Sequence, residues 1–141
     1  MKKLKTILLI DDSPATNLFN RKLIVSMDLC DHVEVKENGK EALDYIKQEG
    51  IFFKKPTVYP LPDMIIVDID MPVMNGFEFV QKYNSLDLKF KSPEGVIISM
   101  LTQNYSSNKY EISKDKLGVH DFIVKPLDKE GIIDLWDKFI Y

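Results

Sequence analysis

The stretch that decides the fold is Asp63-Met-Ile-Ile-Val-Asp68-Ile-Asp-Met-Pro-Val-Met-Asn-Gly76, where an apolar run is followed by acidic residues and a turn. Residues 64–67 form a short, continuous apolar run, which is typical of a strand buried on both faces of a parallel sheet. Asp68 stands at the carboxyl end of that strand. Asn75-Gly76 then opens a helix that is predicted to end near residue 83. This stretch therefore predicts a strand, an acidic turn and a helix.

The same order of elements recurs on both sides of this stretch. Strands are also predicted at residues 6–10, 32–36, 96–101 and 121–124, and helices at residues 14–27, 40–48, 107–117 and from 129 onward. Ser13 and Asp128 are suited to cap the first and last helices, and Gly118 is suited to end the fourth. Strands that alternate with helices predict a three-layer, doubly wound α/β fold with five parallel strands.

The helical spacing of apolar residues predicts which faces are buried. In the first helix we expect Leu18, Leu23 and Met27 to point inward. In the last helix an apolar stripe is predicted from Ile132, Ile133, Trp136, Phe139 and Ile140. The connections at 49–62 and 84–94 are longer than usual.

Composition bounds the class of protein. A chain of 141 residues suits one domain over residues 1–141 with no output domain. No apolar run approaches the roughly 20 residues that span a bilayer, so no membrane association is expected. Cys30 is the only cysteine, which favours a reducing, cytoplasmic location. A net charge of −3 without a basic stripe disfavours direct binding of nucleic acid.

Chemically active residues fall at the carboxyl ends of the predicted strands, where open α/β sheets hold their ligands. These residues are Asp11, Asp12, Asp68, Thr102 and Lys125. Carboxylates that meet within about 5 Å repel each other by roughly 3 kcal/mol per pair at an effective dielectric near 20. Since Lys125 offsets only one charge, we expect a small, hard cation with oxygen ligands, for which Mg²⁺ is the natural candidate.

Such a site suits phosphoryl transfer. A carboxylate serves as nucleophile when a metal ion and a lysine neutralise the charge that develops on the transferred group. Asp68 follows a buried strand and precedes a turn, which favours it as the acceptor. Thr102 is placed to donate its hydroxyl to the phosphoryl group, and Lys125 is placed to contact it as a point charge.

Taken together, the Asp63–Gly76 stretch, Asp11-Asp12 upstream, and Thr102 and Lys125-Pro126 downstream resemble the receiver domain of two-component response regulators. The resemblance covers the whole chain, and the motifs are specific as a set. It implies a flavodoxin-like (βα)5 fold with strand order 2-1-3-4-5 and a cis peptide bond before Pro126.

The resemblance also implies a role for each matching position. Asp68 corresponds to the phosphoacceptor. The Mg²⁺ ligands correspond to Asp12, Asp68, the backbone carbonyl of Asp70 and, through water, Asp11. Thr102 corresponds to the switch hydroxyl, Lys125 to the phosphoryl contact and Phe122 to the aromatic switch.

A signalling role follows from the resemblance. A histidine kinase or phosphotransfer protein of a phosphorelay would supply the phosphoryl group. The chain would promote its own phosphorylation and dephosphorylation instead of turning over a separate substrate. A downstream protein would bind through the fourth helix, fifth strand and fifth helix.

Other interpretations stay open at this point. Asp68-Ile69-Asp70 superficially matches the paired acids of haloacid-dehalogenase-like phosphohydrolases, although the order of motifs is reversed. A degenerate receiver that binds partners without phosphorylation is a third hypothesis, since Gln103 stands where the family usually has a small residue. Ser99 is a rival for the switch hydroxyl. Capping of the first helix is an alternative role for Asp11-Asp12. We expect His32 and His120 at the surface and Cys30 buried.

Overall fold

Five parallel strands form one sheet in a computed structural model that describes residues 1–48, 60–104 and 114–140. The strands are β1 (Leu4–Ile10), β2 (Cys30–Lys36), β3 (Met64–Asp68), β4 (Ile97–Thr102) and β5 (Asp121–Val124). Their order across the sheet is β2-β1-β3-β4-β5, and every pairing is parallel. The predicted doubly wound topology is therefore confirmed. The organisation as a single domain over residues 1–141 stays a prediction.

The central strand β3 is buried along its whole length, as its apolar sequence predicts. Ile10 of β1 pairs with Val67 of β3, and Asp68 of β3 pairs with Leu101 of β4. The register brings the residues that follow β1 to the end of β3. The carboxyl ends of these strands thus share one edge of the sheet.

Helices connect the strands, and those whose first residues the structure describes begin at side-chain caps. They are α1 (Pro14–Ser26), α2 (Gly39–Lys47), α3 (Gly76–Asn84), α4, whose described residues are 114–117, and α5 (Lys129–Phe139). Ser13 accepts from the Thr16 N–H at 3.2 Å, and Asp128 accepts from the Gly131 N–H at 2.7 Å. Both predicted caps are confirmed, because each supplies an acceptor to an N–H that the helix itself leaves unpaired. Within the described residues, no helix is long and apolar enough to cross a bilayer.

Two apolar layers enclose the sheet because successive strand residues face opposite sides. Leu8 and Ile65 pack with α2 and α3 in one cluster. Ile7 and Ile66 pack with α1 and α5 in the other. The arrangement is the predicted three-layer sandwich.

The buried face of α1 differs from the prediction. Leu18 is 54% exposed, whereas Asn17, Asn20 and Ile24 are buried. Asn17 and Asn20 occupy positions that hydropathy assigns to apolar residues, and Asn17 donates a hydrogen bond to the Asp11 carbonyl at the end of β1. Leu23 and Met27 are partly buried against the apolar cluster between the sheet and the helices α1 and α5, as expected.

The apolar stripe of α5 is also shifted. Ile132, Leu135 and Trp136 are buried, whereas Ile133 is 36% exposed. Phe139 and Ile140 are partly buried. The prediction included Ile133 and omitted Leu135, which lies one helical turn from Ile132 and faces the sheet.

The two long connections, the end of the fourth helix and Cys30 were also predicted from the sequence. The 84–94 connection contains a short 3-10 turn at Leu88–Phe90. Most of the predicted 49–62 loop and the start of the predicted fourth helix lie outside the described residues. Gly118 has a φ of 67° and its N–H donates to the Lys114 carbonyl, so it ends α4 as expected. Cys30 is half-buried, whereas the sequence predicted a buried residue.

Candidate functional site

Three carboxylates meet at the carboxyl edge of the sheet. Asp11 and Asp12 follow β1, Asp68 ends β3, and one oxygen from each lies within 4.8 Å of the others. Asp11 and Asp68 are each 2% exposed, whereas Asp12 is exposed. Because β1 and β3 are neighbours in the sheet, the sequence prediction that these acids converge is correct.

Lys125 lies directly against two of these acids. Its Nζ is 2.9 Å from Asp68 Oδ1 and 3.3 Å from Asp11 Oδ2. The Lys125 N–H donates to the Thr102 carbonyl at 2.8 Å, and the Lys125–Pro126 peptide bond is cis. The end of β5 therefore holds this ammonium group beside the acidic cluster.

The environment of Asp68 disfavours its charge. Burial raises the pKa of the Asp68 carboxyl above its ordinary value, the Lys125 hydrogen bond opposes that rise, and the negative charge of Asp11 adds to it. Burial acts to lower the pKa of Lys125, but its bonds to Asp68 and Asp11 outweigh burial and raise it. One ammonium group is thus too little to balance the cluster.

The turn after β3 packs tightly around Asp68. The Asp70 N–H points at Asp68 Oδ1 over 3.4 Å, while the Asp70 side chain is exposed. A Cβ added at Gly76 would lie 2.5 Å from the Asp68 backbone oxygen. Only glycine permits this approach of α3 to the end of β3, a requirement that the Asn75-Gly76 turn signal did not reveal.

Thr102 lies at the end of β4, one residue beyond the residue that pairs with Asp68. Its hydroxyl donates to the Asn104 carbonyl at 2.8 Å and accepts from the Asn104 N–H at 3.2 Å. Ser99 is fully buried inside the same strand, three residues or about 10 Å from that end. Among the two hydroxyls, Thr102 is the one at the edge of the sheet that carries the acids.

Phe122 and Gln103 occupy different environments. Phe122 is 6% exposed and packs in the apolar layer, with its ring centroid 6.2 Å from that of Phe77. Gln103 is exposed, so its side chain does not fill the interior of the site.

Sequence reasoning missed Asn17. Its Nδ2 donates to the backbone carbonyl of Asp11 at 2.8 Å, and its Oδ1 is buried without a hydrogen-bond partner among the described residues. The Ser13 N–H also donates to Asp11 Oδ1, at 2.9 Å. These bonds fix Asp11 between β1 and α1. Helical spacing of Asn17, Asn20 and Ile24 was the available signal, but it required polar residues to be read as buried.

The residues at this edge fit a Mg²⁺ ion. Three carboxylates face one lysine, and carboxylate oxygens are the ligands that Mg²⁺ prefers. Asp12 is exposed, which leaves the cluster open to a hydrated ion. The fit rests on donor chemistry and on the excess negative charge.

The fold and this edge define the class: a flavodoxin-like α/β protein with an acidic cluster and a lysine at the carboxyl ends of its strands. The family model described as the response regulator receiver domain matches residues 7–137. The chain therefore belongs to the receiver-domain family of two-component signalling. Receiver domains are signalling switches that histidine kinases phosphorylate.

Known proteins from several organisms are similar to this chain. A protein-glutamate methylesterase/protein-glutamine glutaminase from Desulfotalea psychrophila is 32% identical over 92% of the chain, which spans 31% of that protein. Two-component response regulator 24 from Arabidopsis thaliana is 27% identical over 94% of the chain and 82% of the relative. The structure of the Vibrio cholerae chemotaxis protein CheY4 matches with a TM-score of 0.72 and 26% identity, over 96% of this chain and 98% of that one.

Proposed function

We propose that this chain is a phosphoacceptor switch in which Asp68 receives a phosphoryl group from the phosphohistidine of a histidine kinase or phosphotransfer protein. The observation that carries the proposal is a buried Asp68 carboxylate with Lys125 Nζ at 2.9 Å, inside a cluster of three acids. Family membership and the half-buried lone Cys30 support a cytoplasmic location.

The transfer breaks one bond and forms another. An Asp68 carboxylate oxygen attacks phosphorus, the bond from phosphorus to the histidine nitrogen breaks, and that nitrogen keeps the electron pair. The product is an acyl phosphate on Asp68. Lys125 already lies against Asp68, so it is placed to contact a phosphoryl oxygen without a large movement.

A metal ion completes the charge balance of the site. Asp12, Asp68, the Asp70 backbone carbonyl and, through water, Asp11 would hold Mg²⁺. When bound, Mg²⁺ supplies neutralisation of the negative charge that gathers on the phosphoryl oxygens. Burial of Asp11 and its bonds to the Ser13 N–H and Asn17 keep this part of the site in place.

Phosphorylation of Asp68 would change the hydrogen bonding of Thr102. Its hydroxyl is engaged with Asn104, and donation to a phosphoryl group on Asp68 requires it to leave that bond. We propose that this rearrangement changes the packing of Phe122 and the surface formed by α4, β5 and α5, where a downstream protein binds. Val124 of β5 is 49% exposed and Ile133 of α5 is 36% exposed, which supplies apolar contact area for such a partner.

Intact mass spectrometry tests the acceptor directly. The wild-type protein is incubated with acetyl phosphate and Mg²⁺, and we expect one added phosphoryl mass that disappears when Mg²⁺ is chelated. Asp68→Asn is expected to gain none. Asp70→Asn is a matched control that should still be modified, because the exposed Asp70 side chain has no assigned role. Equal modification of wild type and Asp68→Asn would overturn the proposal.

The phosphohydrolase alternative gains no support from the site. The second acid that it requires is the side chain of Asp70, which is exposed and is not part of the cluster of three acids. Sustained release of phosphate from a phosphomonoester would be the result that revives it.

A further inference from the structure

A cavity of about 440 Å³ lies at the amino-terminal edge of the sheet, at the opposite end of the strands from Asp68. It is open to solvent on one side and is lined by the start of β1, the residues that precede β3, β4 and β5, and the end of α5. We call it the amino-edge cavity. Leu4, Val96, Phe139 and Ile140 supply apolar walls, and its volume is within the range of small-molecule sites.

His120 lines this cavity and has one ring nitrogen already engaged. The Ile98 N–H donates to His120 Nδ1 at 3.1 Å, while the His120 N–H donates to the Ile98 carbonyl at 2.8 Å. Since Nδ1 is the acceptor, the neutral ring must have its proton on Nε2. The expectation of a surface histidine was wrong for His120, because its ring is half-buried. The ring forms a T-shaped pair with Phe139, with 5.3 Å between the two ring centroids, and burial lowers the pKa of His120. His32, by contrast, is exposed as expected.

The Nε2–H group is therefore an available donor. Within residues 1–48, 60–104 and 114–140, no protein atom accepts a hydrogen bond from it. A half-buried donor on the wall of a cavity with apolar sides is a suitable partner for the polar end of a small ligand.

The charges around the cavity favour an anion. Asp63 is occupied, because its carboxylate accepts from the Lys5 and Thr6 N–H groups and from Ser92 Oγ. Lys2 and Lys5 lie at the rim, and in the described part of the chain neither ammonium group has an acidic partner. Among the described residues that line the cavity, Glu94 is the remaining acid without an ion pair, so the balance of their charges is positive.

The shape of the site favours a carboxylate over a phosphate. A phosphate is usually held by several converging N–H groups. The N–H groups of Lys5, Gly95 and Ile97, which line the cavity, already donate to oxygens of Asp63 and Ser92. The single donor of the His120 ring, with Lys2 and Lys5 at the rim, suits a ligand with one negative charge. The Phe139 ring beside His120 suits a flat, apolar body.

We propose that the amino-edge cavity binds a small aromatic carboxylic acid, whose carboxylate accepts from His120 Nε2–H and whose ring packs against Phe139. The site does not depend on Asp68, so it stands or falls separately from the phosphoacceptor proposal.

Benzoate is a direct probe, with benzyl alcohol as the uncharged counterpart of the same shape. In ¹H–¹⁵N spectra we expect benzoate to shift the amide signals of Ile98 and His120 saturably, with a Kd in the millimolar range, whereas benzyl alcohol should bind more weakly. A long-range ¹H–¹⁵N spectrum should show the Nε2–H tautomer of His120 at neutral pH. The Nδ1–H tautomer, or no saturable shift up to about 50 mM benzoate, would overturn the proposal.

Variants separate the donor from the rim charge. His120→Phe removes the donor and is expected to abolish the benzoate shifts. Lys5→Gln keeps the backbone bond to Asp63 and should weaken benzoate by about three- to fivefold, the size expected for one screened surface charge. Lys22→Gln changes an exposed lysine on α1 as a matched control and should have no effect. If His120→Phe does not fold, equal affinities of wild type, Lys5→Gln and Lys22→Gln would contradict the proposal.

Discussion

At the residue scale, Asp68 combines burial with reactivity. Its carboxylate is removed from water, lies near Asp11 and has one ammonium partner, Lys125. Those conditions make the ionised form costly in the folded protein until a cation joins the site. The same features that suit Asp68 to accept a phosphoryl group should therefore reduce stability in the absence of metal.

Asp68→Asn is expected to stabilise the metal-free protein by about 1–3 kcal/mol near neutral pH, because it removes a buried charge from a cluster with excess negative charge. A raised pKa means that the folded protein binds a proton at Asp68 more readily than the unfolded chain, whose ordinary value is 3.8. The contribution of Asp68 to the stability of wild type should therefore fall as pH rises from this value through the raised folded pKa.

Urea unfolding in EDTA checks this expectation. The gain from Asp68→Asn should be larger near pH 7 than near pH 4, where the folded Asp68 is more fully protonated. Asp70→Asn, at an exposed side chain, should change stability little at either pH. A destabilised Asp68→Asn protein at neutral pH would show that Lys125 more than compensates for burial.

Val73 provides a second residue-scale prediction. It is fully exposed and has a φ of 70°, a backbone region that a β-branched residue rarely occupies. Asn tolerates that region, so Val73→Asn should raise the free energy of unfolding by about 1 kcal/mol. Thermal unfolding measures the effect. Val25→Asn, at an exposed position in α1 without positive φ, is the control and should give no gain.

At the element scale, α1 shows why one amphipathic stripe was predicted incorrectly. Its inward face includes Asn17, which donates to the Asp11 carbonyl, while Leu18 points outward. Hydropathy places asparagine outside and leucine inside, so it cannot detect a buried polar residue whose purpose is to hold the end of a neighbouring strand. The caps at Ser13 and Asp128 were predictable because they depend on local chemistry alone.

The α5 helix offers a matched pair. Leu135 is completely buried between α5 and the sheet, whereas its near neighbour Ile133 is 36% exposed. Leu135→Ala should cost about 2–4 kcal/mol through a buried cavity, while Ile133→Ala should cost less than about 1 kcal/mol. Chemical denaturation measures both. Equal losses would contradict the assignment of the buried face.

At the scale of the whole molecule, the sequence predicts the fold well because short apolar runs such as residues 64–67 are bounded by turn residues, which favours buried strands that alternate with helices. The convergence of Asp11, Asp68 and Lys125 followed from the topology, since strand ends of a parallel sheet share one edge. The state of Thr102, bonded to Asn104, and the donor at His120 were not predictable. Both depend on contacts between segments whose relative orientation no local pattern specifies.

A whole-molecule prediction concerns metal. We propose that Mg²⁺ binds only the folded protein. A free Mg²⁺ concentration of about one hundred times the Kd should therefore add roughly 2.7 kcal/mol to the free energy of unfolding. Asp12→Asn should reduce this gain, and Asp115→Asn, an exposed acid on α4, should not. Thermal shift with increasing Mg²⁺ measures the effect, and equal responses of all three proteins would exclude the acidic cluster as the metal site.

The most direct test of the central claim is to locate the acyl phosphate. After treatment with acetyl phosphate and Mg²⁺, reduction with borohydride converts an aspartyl phosphate to homoserine, and peptide mass spectrometry identifies the residue. We expect homoserine at position 68 alone, and none when Mg²⁺ is chelated. Homoserine at Asp11, Asp12 or Asp70 with Asp68 unchanged would contradict the account of Asp68 as the phosphoacceptor.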